Sequence, residues 1–574
     1  MQNFTVTRQF FRDVWYLTKS YWLSEEKKKA FCLLACIVAL TLGIVYMLVL
    51  LNAWNNSFYS ALQNYETDKI FSELIHFSWL AAIYILLAVY SYYLQQMLIL
   101  NWRRWLTKRF IDIWLKNKTY YNLQMFGKDT DNPDQRISED VRQFVEMTIG
   151  FAIGILKAFC TFASFVFILY NISGSVTFTL FGENWTINGY MLWASLVYSI
   201  VGTYITHLVG RKLVKLNFIQ QRYEADFRFS MIRLRESAES VAFYRGENQE
   251  GILFKERFNL LLENFWKLVN KQKQLVFLNS GYSQIAIIFP FVVAMNRYLS
   301  KEITLGGLMQ VSSAFGNVQN SLSYFVDMYS SIAQWQAVVM RLTFFGHHMH
   351  EVAQQAEKFN MERFATAKNL KVEQMQINLP DGKLLLEKLN FELQPGHNVL
   401  IKGVSGSGKS TLLRAIAGIW PFVDGKIDLP ETDKLMFIPQ KPYLPLGTLR
   451  TALLYPGNKQ ICDEEIMELM NICKIGYLKD KLNITGDWGH ILSVGEQQRL
   501  AFVRAHIQKP QWLFLDEATS ALDEETEDRM YKLLAEKLPN TTVVSVGHRS
   551  TLNKFHEVAL YLNKAEHNLK LEKL

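Results

Sequence analysis

Six stretches of this chain, approximately 30–51, 76–99, 149–171, 189–209, 275–295 and 304–326, are apolar enough and long enough to rule out an ordinary soluble fold. A bilayer's hydrocarbon is spanned by about 20 helical residues. Inside it the backbone must satisfy its own hydrogen bonds, so each stretch is expected to be a helix. Composition agrees: 50% of the 574 residues are hydrophobic and 14% aromatic. The fifth stretch contains Pro290, tolerated in a membrane helix and expected to kink it.

Loop charges orient the spans. The segment 101–148 carries nine basic residues: Arg103, Arg104, Lys108, Arg109, Lys116, Lys118, Lys128, Arg136 and Arg142. The segment 210–274 is also densely basic, whereas 52–75 has only Lys69 and 172–188 has no Lys or Arg. Basic loops stay on the cytoplasmic side, which puts both termini there. The net charge of +8 is therefore read as membrane-flanking charge and not as a nucleic-acid surface. Residues 1–29 lack the apolar core of a cleavable signal. Phe4, Phe11, Trp15 and Trp22 recur there at helix-like intervals beside charges, which suits an amphipathic helix in the membrane interface. A soluble helix packed on a cytoplasmic domain fits the same pattern.

The sixth stretch is weakly hydrophobic for a reason. Gln310, Ser313, Asn317, Asn320 and Tyr324 fall on one helix face, with Val311, Phe315, Val318, Leu322 and Phe325 mostly on the other. Polar groups within a bilayer face a protein interior or a wet cavity, so the stripe is expected to wall a pathway. Hydrogen bonding that only holds helices together is the alternative. Lys157 is a lone cation in the third stretch, and the sequence names no partner for it.

The transmembrane domain is expected over 30–340 and a linker over 341–366. From 367 to 574 the pattern changes to short strands, turns and soluble helices. Gly403-Val404-Ser405-Gly406-Ser407-Gly408-Lys409-Ser410-Thr411 has the spacing of a nucleoside-triphosphate phosphate loop. The apolar run Val399–Ile401 precedes it, and Leu412, Ala415, Ile416 and Ile419 follow at helical spacing. Glycines let successive N–H groups turn inward toward phosphate oxygens, and the helix N-terminus favours the anion. Lys409 is placed to reach the β- and γ-phosphates and Ser410 to ligate Mg²⁺. Downstream, Trp512–Leu515 is an apolar run ending in Asp516 and Glu517. Asp516 supplies a second Mg²⁺ ligand and Glu517 a base for the attacking water. ATP and Mg²⁺ are the expected ligands.

The segment Leu492-Ser493-Val494-Gly495-Glu496-Gln497-Gln498-Arg499 resembles the signature of ATP-binding-cassette (ABC) ATPases, with Val494 where a glycine is usual. The resemblance implies that Ser493, Gly495, Glu496 and Gln497 form a signature acting in trans, in which Ser493 and Gly495 contact the γ-phosphate held by an opposite subunit. Gln440 is similar to the glutamine that touches Mg²⁺, Ser520-Ala521-Leu522-Asp523 to the D-loop with its Asp523, and His548 to the switch histidine. Leu379 stands where such cassettes usually stack adenine on an aromatic residue.

Asn132-Pro133-Asp134-Gln135-Arg136 and Glu239–Glu247 resemble cytoplasmic motifs of peroxisomal fatty-acyl half-transporters and of bacterial SbmA/BacA-type permeases fused to an ATPase. This implies an α-helical, exporter-like transmembrane domain fused to an α/β P-loop ATPase, acting as a homodimer in the lipid bilayer of a bacterial inner membrane. The expected function is ATP-driven import of a bulky hydrophilic solute such as cobalamin or a peptide. Export of peptides, drugs or lipids, acyl-CoA transport, and a non-transporting ABC regulator are the alternatives. Nucleic-acid partners are excluded by the spans.

Overall fold

The computed structural model describes residues 8–126, 132–180, 183–358, 361–365, 368–431, 434–457, 459–563 and 567–574. They form two compact units. One comprises residues 1–112 and 131–346; the other comprises 113–130 and 347–574.

The first unit is helical. Helices Lys27–Gln63, Thr67–Leu115, Val141–Ser173, Tyr190–Glu236, Glu247–Leu299 and Leu305–Asp327 carry the six apolar stretches. Among the described residues, five helices are long and apolar enough to cross a membrane, and Leu305–Asp327 is not one of them. Its polar stripe lowers its hydropathy, yet its other face is firmly packed. Val311, Ala314, Phe315 and Val318 are buried against Phe165 and Leu169 of the third helix and Met191 and Leu192 of the fourth. Asn52, buried in the first helix, donates to the Gln310 carbonyl at 2.9 Å. Tyr198 stacks on Tyr282 with ring centroids 4.5 Å apart, tying the fourth helix to the fifth.

Tyr190–Glu236 and Glu247–Leu299 have 47 and 53 residues. At 1.5 Å per residue they run roughly 70–80 Å, far beyond the thickness of a bilayer. They therefore form a long hairpin whose tip, Ala238–Tyr244, is the expected second cytoplasmic motif. Phe243 and Tyr244 are 79% and 85% exposed there. Between the third and fourth helices, strands Ser175–Leu180 and Glu183–Asn188 pair antiparallel.

The N-terminal helix, Arg8–Trp22, buries Phe10, Leu17 and Tyr21. Tyr21 stacks on Trp102 at 5.4 Å, and Phe10 meets the Trp335 ring edge-on. Phe11 and Trp15 stay exposed; Phe4 lies outside the described residues. The helix thus shows one face to the bundle and an aromatic face outward. In the segment Asn132–Arg136, Pro133 occupies the first position of a short helix, where its missing N–H costs nothing. Asp140, 1% exposed, accepts two bonds from Arg341, at 2.8 and 2.6 Å, and one from Arg136. A buried carboxylate needs such partners.

The second unit is the cassette. Its central sheet has the strand order 568–573, 558–563, 399–403, 542–546, 512–516 and 435–438. Every neighbouring pair is parallel except the antiparallel edge 558–563/568–573. The runs Val399–Ile401, Trp512–Leu515 and Thr542–Val546 are buried throughout, as strands covered on both faces are. A second sheet of four strands holds 361–364, 423–428, 370–378 and 384–393. Residues 113–130, expected within the transmembrane domain, cluster with this unit. In that segment Phe126 packs on Phe422 with centroids 4.7 Å apart, and Lys118 donates to the Gly418 carbonyl at 3.1 Å.

Candidate functional site

Parallel pairing brings four strand ends to one edge of the central sheet. Val546 pairs with both Ile401 and Asp516, and Leu515 pairs with Ile438. The segments that follow are the phosphate loop, Glu517, His548 and Gln440. Residues scattered over more than 140 positions of sequence therefore meet where ligands bind in such sheets, outside the carboxyl ends of the strands.

The phosphate loop depends on glycine at both ends. Gly403 and Gly408 have φ of 155° and 97°. A Cβ on Gly403 would lie 2.7 Å from Ser407 Oγ, and one on Gly408 would lie 3.0 Å from Leu385. Lys409, 6% exposed, opens the helix Lys409–Ile416 and donates from Nζ to the carbonyls of Gly403 at 2.9 Å and Val404 at 3.1 Å. Burial pulls its pKa below the usual lysine value, while Glu517 and Asp516 pull the other way. The Ser410 hydroxyl donates to Asp516 Oδ1 at 2.8 Å. Two hard oxygen donors so close suit Mg²⁺.

Glu517 stands at φ 49°, in the left-handed region, with its N–H bonded to the Val546 carbonyl at 3.1 Å. That turn aims its carboxylate away from the strand. Gln440 Nε2 donates to Glu517 Oε2 at 3.0 Å, and His548 Nε2 lies 3.6 Å from Oε1. The three expected catalytic residues are therefore gathered on one carboxylate.

Ser493 caps the helix Val494–Gln508 through a reciprocal capping box with Glu496. Its hydroxyl donates to Glu496 Oε2 at 2.7 Å, and its N–H donates to the same oxygen at 2.8 Å. Gln497 is turned inward instead: buried, it donates to the carbonyls of Gly489 and Leu492, both at 2.8 Å. Its position supports the segment leading into the signature. Asp523 caps the helix Glu524–Lys537, accepting from the Thr526 N–H at 2.8 Å and hydroxyl at 3.0 Å. Those bonds hold its carboxyl below the usual range. Leu379 sits half-buried in a tight turn closed by its N–H on the Lys383 carbonyl at 2.8 Å.

The sequence reading passed over two members of this assembly. Buried Glu527 accepts from Thr519 at 2.6 Å and Thr551 at 2.8 Å, and Arg549 donates to the Leu522 carbonyl at 2.9 Å. They join the loop after Glu517 to the loop after His548. The signal was an acidic residue on a helix face that packs inward.

In the helical unit, Gln310, Ser313, Asn317 and Tyr324 are partly exposed and Asn320 is exposed. Asn317 donates back to the Ser313 carbonyl at 2.9 Å. A Cβ on Gly154 would overlap the Tyr324 hydroxyl, so the third helix makes room for that ring. Lys157, one turn further along the third helix, is exposed.

Residues 17–299 match the family described as ABC transporter transmembrane region 2, and residues 386–520 match the ABC transporter family. The inner membrane ABC transporter ATP-binding protein YddA of Escherichia coli is 34% identical over 93% of this chain and 94% of its own length. The chain belongs to the ABC transporter family. It is a transport-coupled ATPase with permease and cassette in one polypeptide. The human lysosomal cobalamin transporter ABCD4 is 26% identical over 94% of this chain and 92% of its own. A bacterial Atm1-family ABC exporter with ATP bound superposes with a TM-score of 0.71 at 17% identity, covering 96% of this chain and 95% of that one. The ABC transporter fold is thus of exporter type, as expected from the resemblance.

Proposed function

We propose that this ABC transporter works as a homodimer that imports a bulky hydrophilic solute, of cobalamin or peptide type, across a bacterial inner membrane with both termini cytoplasmic. The observation that carries the reading is the helix Leu305–Asp327. It buries an apolar face within its own bundle and leaves Asn320 exposed and Gln310, Ser313 and Asn317 partly exposed, with the Tyr324 ring seated against Gly154 of the third helix. Such a stripe is costly against lipid and suits a wet cavity shared by two subunits. A relative named for cobalamin transport and another named for the inner membrane support the solute and the location. The aromatic tip Phe243-Tyr244, exposed in the single chain, fits a hairpin that docks on a partner's cassette.

In the proposed mechanism the loop Gly403–Thr411 cradles the phosphates and Lys409 leaves its two carbonyls for the β- and γ-oxygens. Ser410 and Asp516, with Gln440, would hold Mg²⁺, which supplies charge neutralisation on those oxygens. Glu517 takes the proton of the attacking water, His548 holds the γ-phosphate, and Ser493 and Gly495 of the other subunit close the site. Closure of the two cassettes draws the cytoplasmic loops together, and hydrolysis releases them.

Export is the second reading, favoured by the exporter-type fold. Proteoliposomes of known orientation, loaded with ATP on the cassette side and offered labelled cobalamin or a Pro-rich peptide, separate the two. Import predicts accumulation on the cassette side. Movement the other way supports export, and no ATP-dependent movement of any solute in either orientation would overturn the transport reading.

A further inference from the structure

Gln498 follows the signature and is fully buried. Its side-chain amide makes three hydrogen bonds to two other motifs. Nε2 donates to the Gln440 carbonyl at 3.0 Å and to Ser520 Oγ at 3.2 Å, while Oε1 accepts from the Ala521 N–H at 3.0 Å. Both partner segments hold Glu517. Gln440 donates its own side chain to the Glu517 carboxylate, and the Ser520 N–H bonds the Glu517 carbonyl at 3.0 Å. Gln498 thus grips the two flanks of the water-activating residue from below.

The same amide belongs to the helix that begins at Ser493, which it follows by five positions, about 7.5 Å along the axis. A helix moves as a rigid element, so a displacement at Ser493 reaches Gln498 nearly undiminished. Breaking any of its bonds would strand a buried polar group, so Gln440 and Ser520 are carried along instead. Gly495 reinforces the junction: a Cβ there would lie 3.1 Å from the Ala521 carbonyl, so the helix start is held close to the D-loop.

We propose that Gln498 is a positioning residue that couples the two ATP sites of the dimer. Engagement of Ser493 by nucleotide on the partner subunit shifts the helix, and Gln498 passes that shift to Gln440, Ser520 and hence Glu517 of its own site. The inference rests on the shared-site reading above.

The test uses full-length dimers with two different tags, in which one chain carries Glu517→Gln, so that its site holds nucleotide without hydrolysing it and only the other chain turns over. Replacing Glu517→Gln by Lys409→Ala on that chain empties its site, and turnover by the intact chain should fall by about 10-fold or more, the usual scale for a misaligned reacting group. With Gln498→Met on the intact chain, turnover should be low and equal whether the neighbouring site is filled or empty. A dependence on the neighbouring site that survives Gln498→Met, or none in its absence, would overturn the coupling. Ser493→Ala on the Glu517→Gln chain is the control and should lower turnover by the intact chain. If it does not, the shared-site reading fails and takes this proposal with it. If Gln498→Met does not fold, Gln498→Glu keeps the acceptor for Ala521 and loses both donations. It should abolish the same dependence, and a normal dependence would count against the proposal.

Discussion

Gln440 donates its side-chain amide to Glu517 at 3.0 Å, across 77 residues of sequence. The bond joins the segment after one strand to the segment after its parallel neighbour. It also leaves the second oxygen of Glu517 beside His548. A carboxylate held on one side by an amide donor and flanked on the other by an imidazole is aimed, and a water-activating group requires such aim.

Glu517→Gln should therefore abolish turnover without abolishing binding. The amide keeps the size but cannot take a proton, so hydrolysis should drop by about 10²-fold or more. ATP should be retained and dimers should accumulate closed. ATP turnover and bound nucleotide after gel filtration check both; near-normal turnover would move the base to another residue, with His548 next to test.

Asp516→Asn should fail differently. Its Oδ1 accepts from Ser410, and an amide there is a poorer ligand for a hard cation. The Mg²⁺ concentration needed for half-maximal ATP hydrolysis should rise by about 10-fold or more, on the scale of losing a charged ligand interaction. An unchanged Mg²⁺ dependence would remove Asp516 from the metal site.

Asn317→Leu should separate transport from hydrolysis. Among the described residues its side chain bonds its own helix's Ser313 carbonyl alone, so folding depends little on it. Solute flux should fall while basal ATPase stays near normal. Equal loss of both at normal expression would assign Asn317 to folding.

Phe243→Ala with Tyr244→Ala should uncouple the halves of the machine. The two rings are exposed in the single chain, so their removal should leave the thermal midpoint in detergent almost unchanged. Solute-stimulated ATPase should be lost and dimer mass retained. Stimulation at the normal level would show that this tip docks on nothing.

Arg341→Ala should destabilise the helical unit. It removes two of the charged hydrogen bonds on buried Asp140 and leaves Arg136 to hold the carboxylate. A loss of about 3 kcal/mol is expected, the low end for two hydrogen bonds to a charged group at about 1.5–3 each, since Arg136 remains as a partner. Thermal unfolding in detergent measures it.

The chain's covalent order alone determined a good deal. Apolar length specified the helices, because a bilayer leaves the backbone no other partners. The glycines and Lys409 announced a phosphate loop, because few other residue patterns let a backbone turn its N–H groups onto an anion. The polar side of the sixth helix was legible because helical period is a local property. What the sequence could not supply was how loops far apart in it meet. The amide of Gln440 on Glu517, the inward turn of Gln497 and the burial of Gln498 and Glu527 all depend on which strands lie side by side. So does the clustering of residues 113–130 with the cassette. Strand order and helix packing are set by the sum of many weak burial terms over the whole unit, and no short window of residues contains that sum.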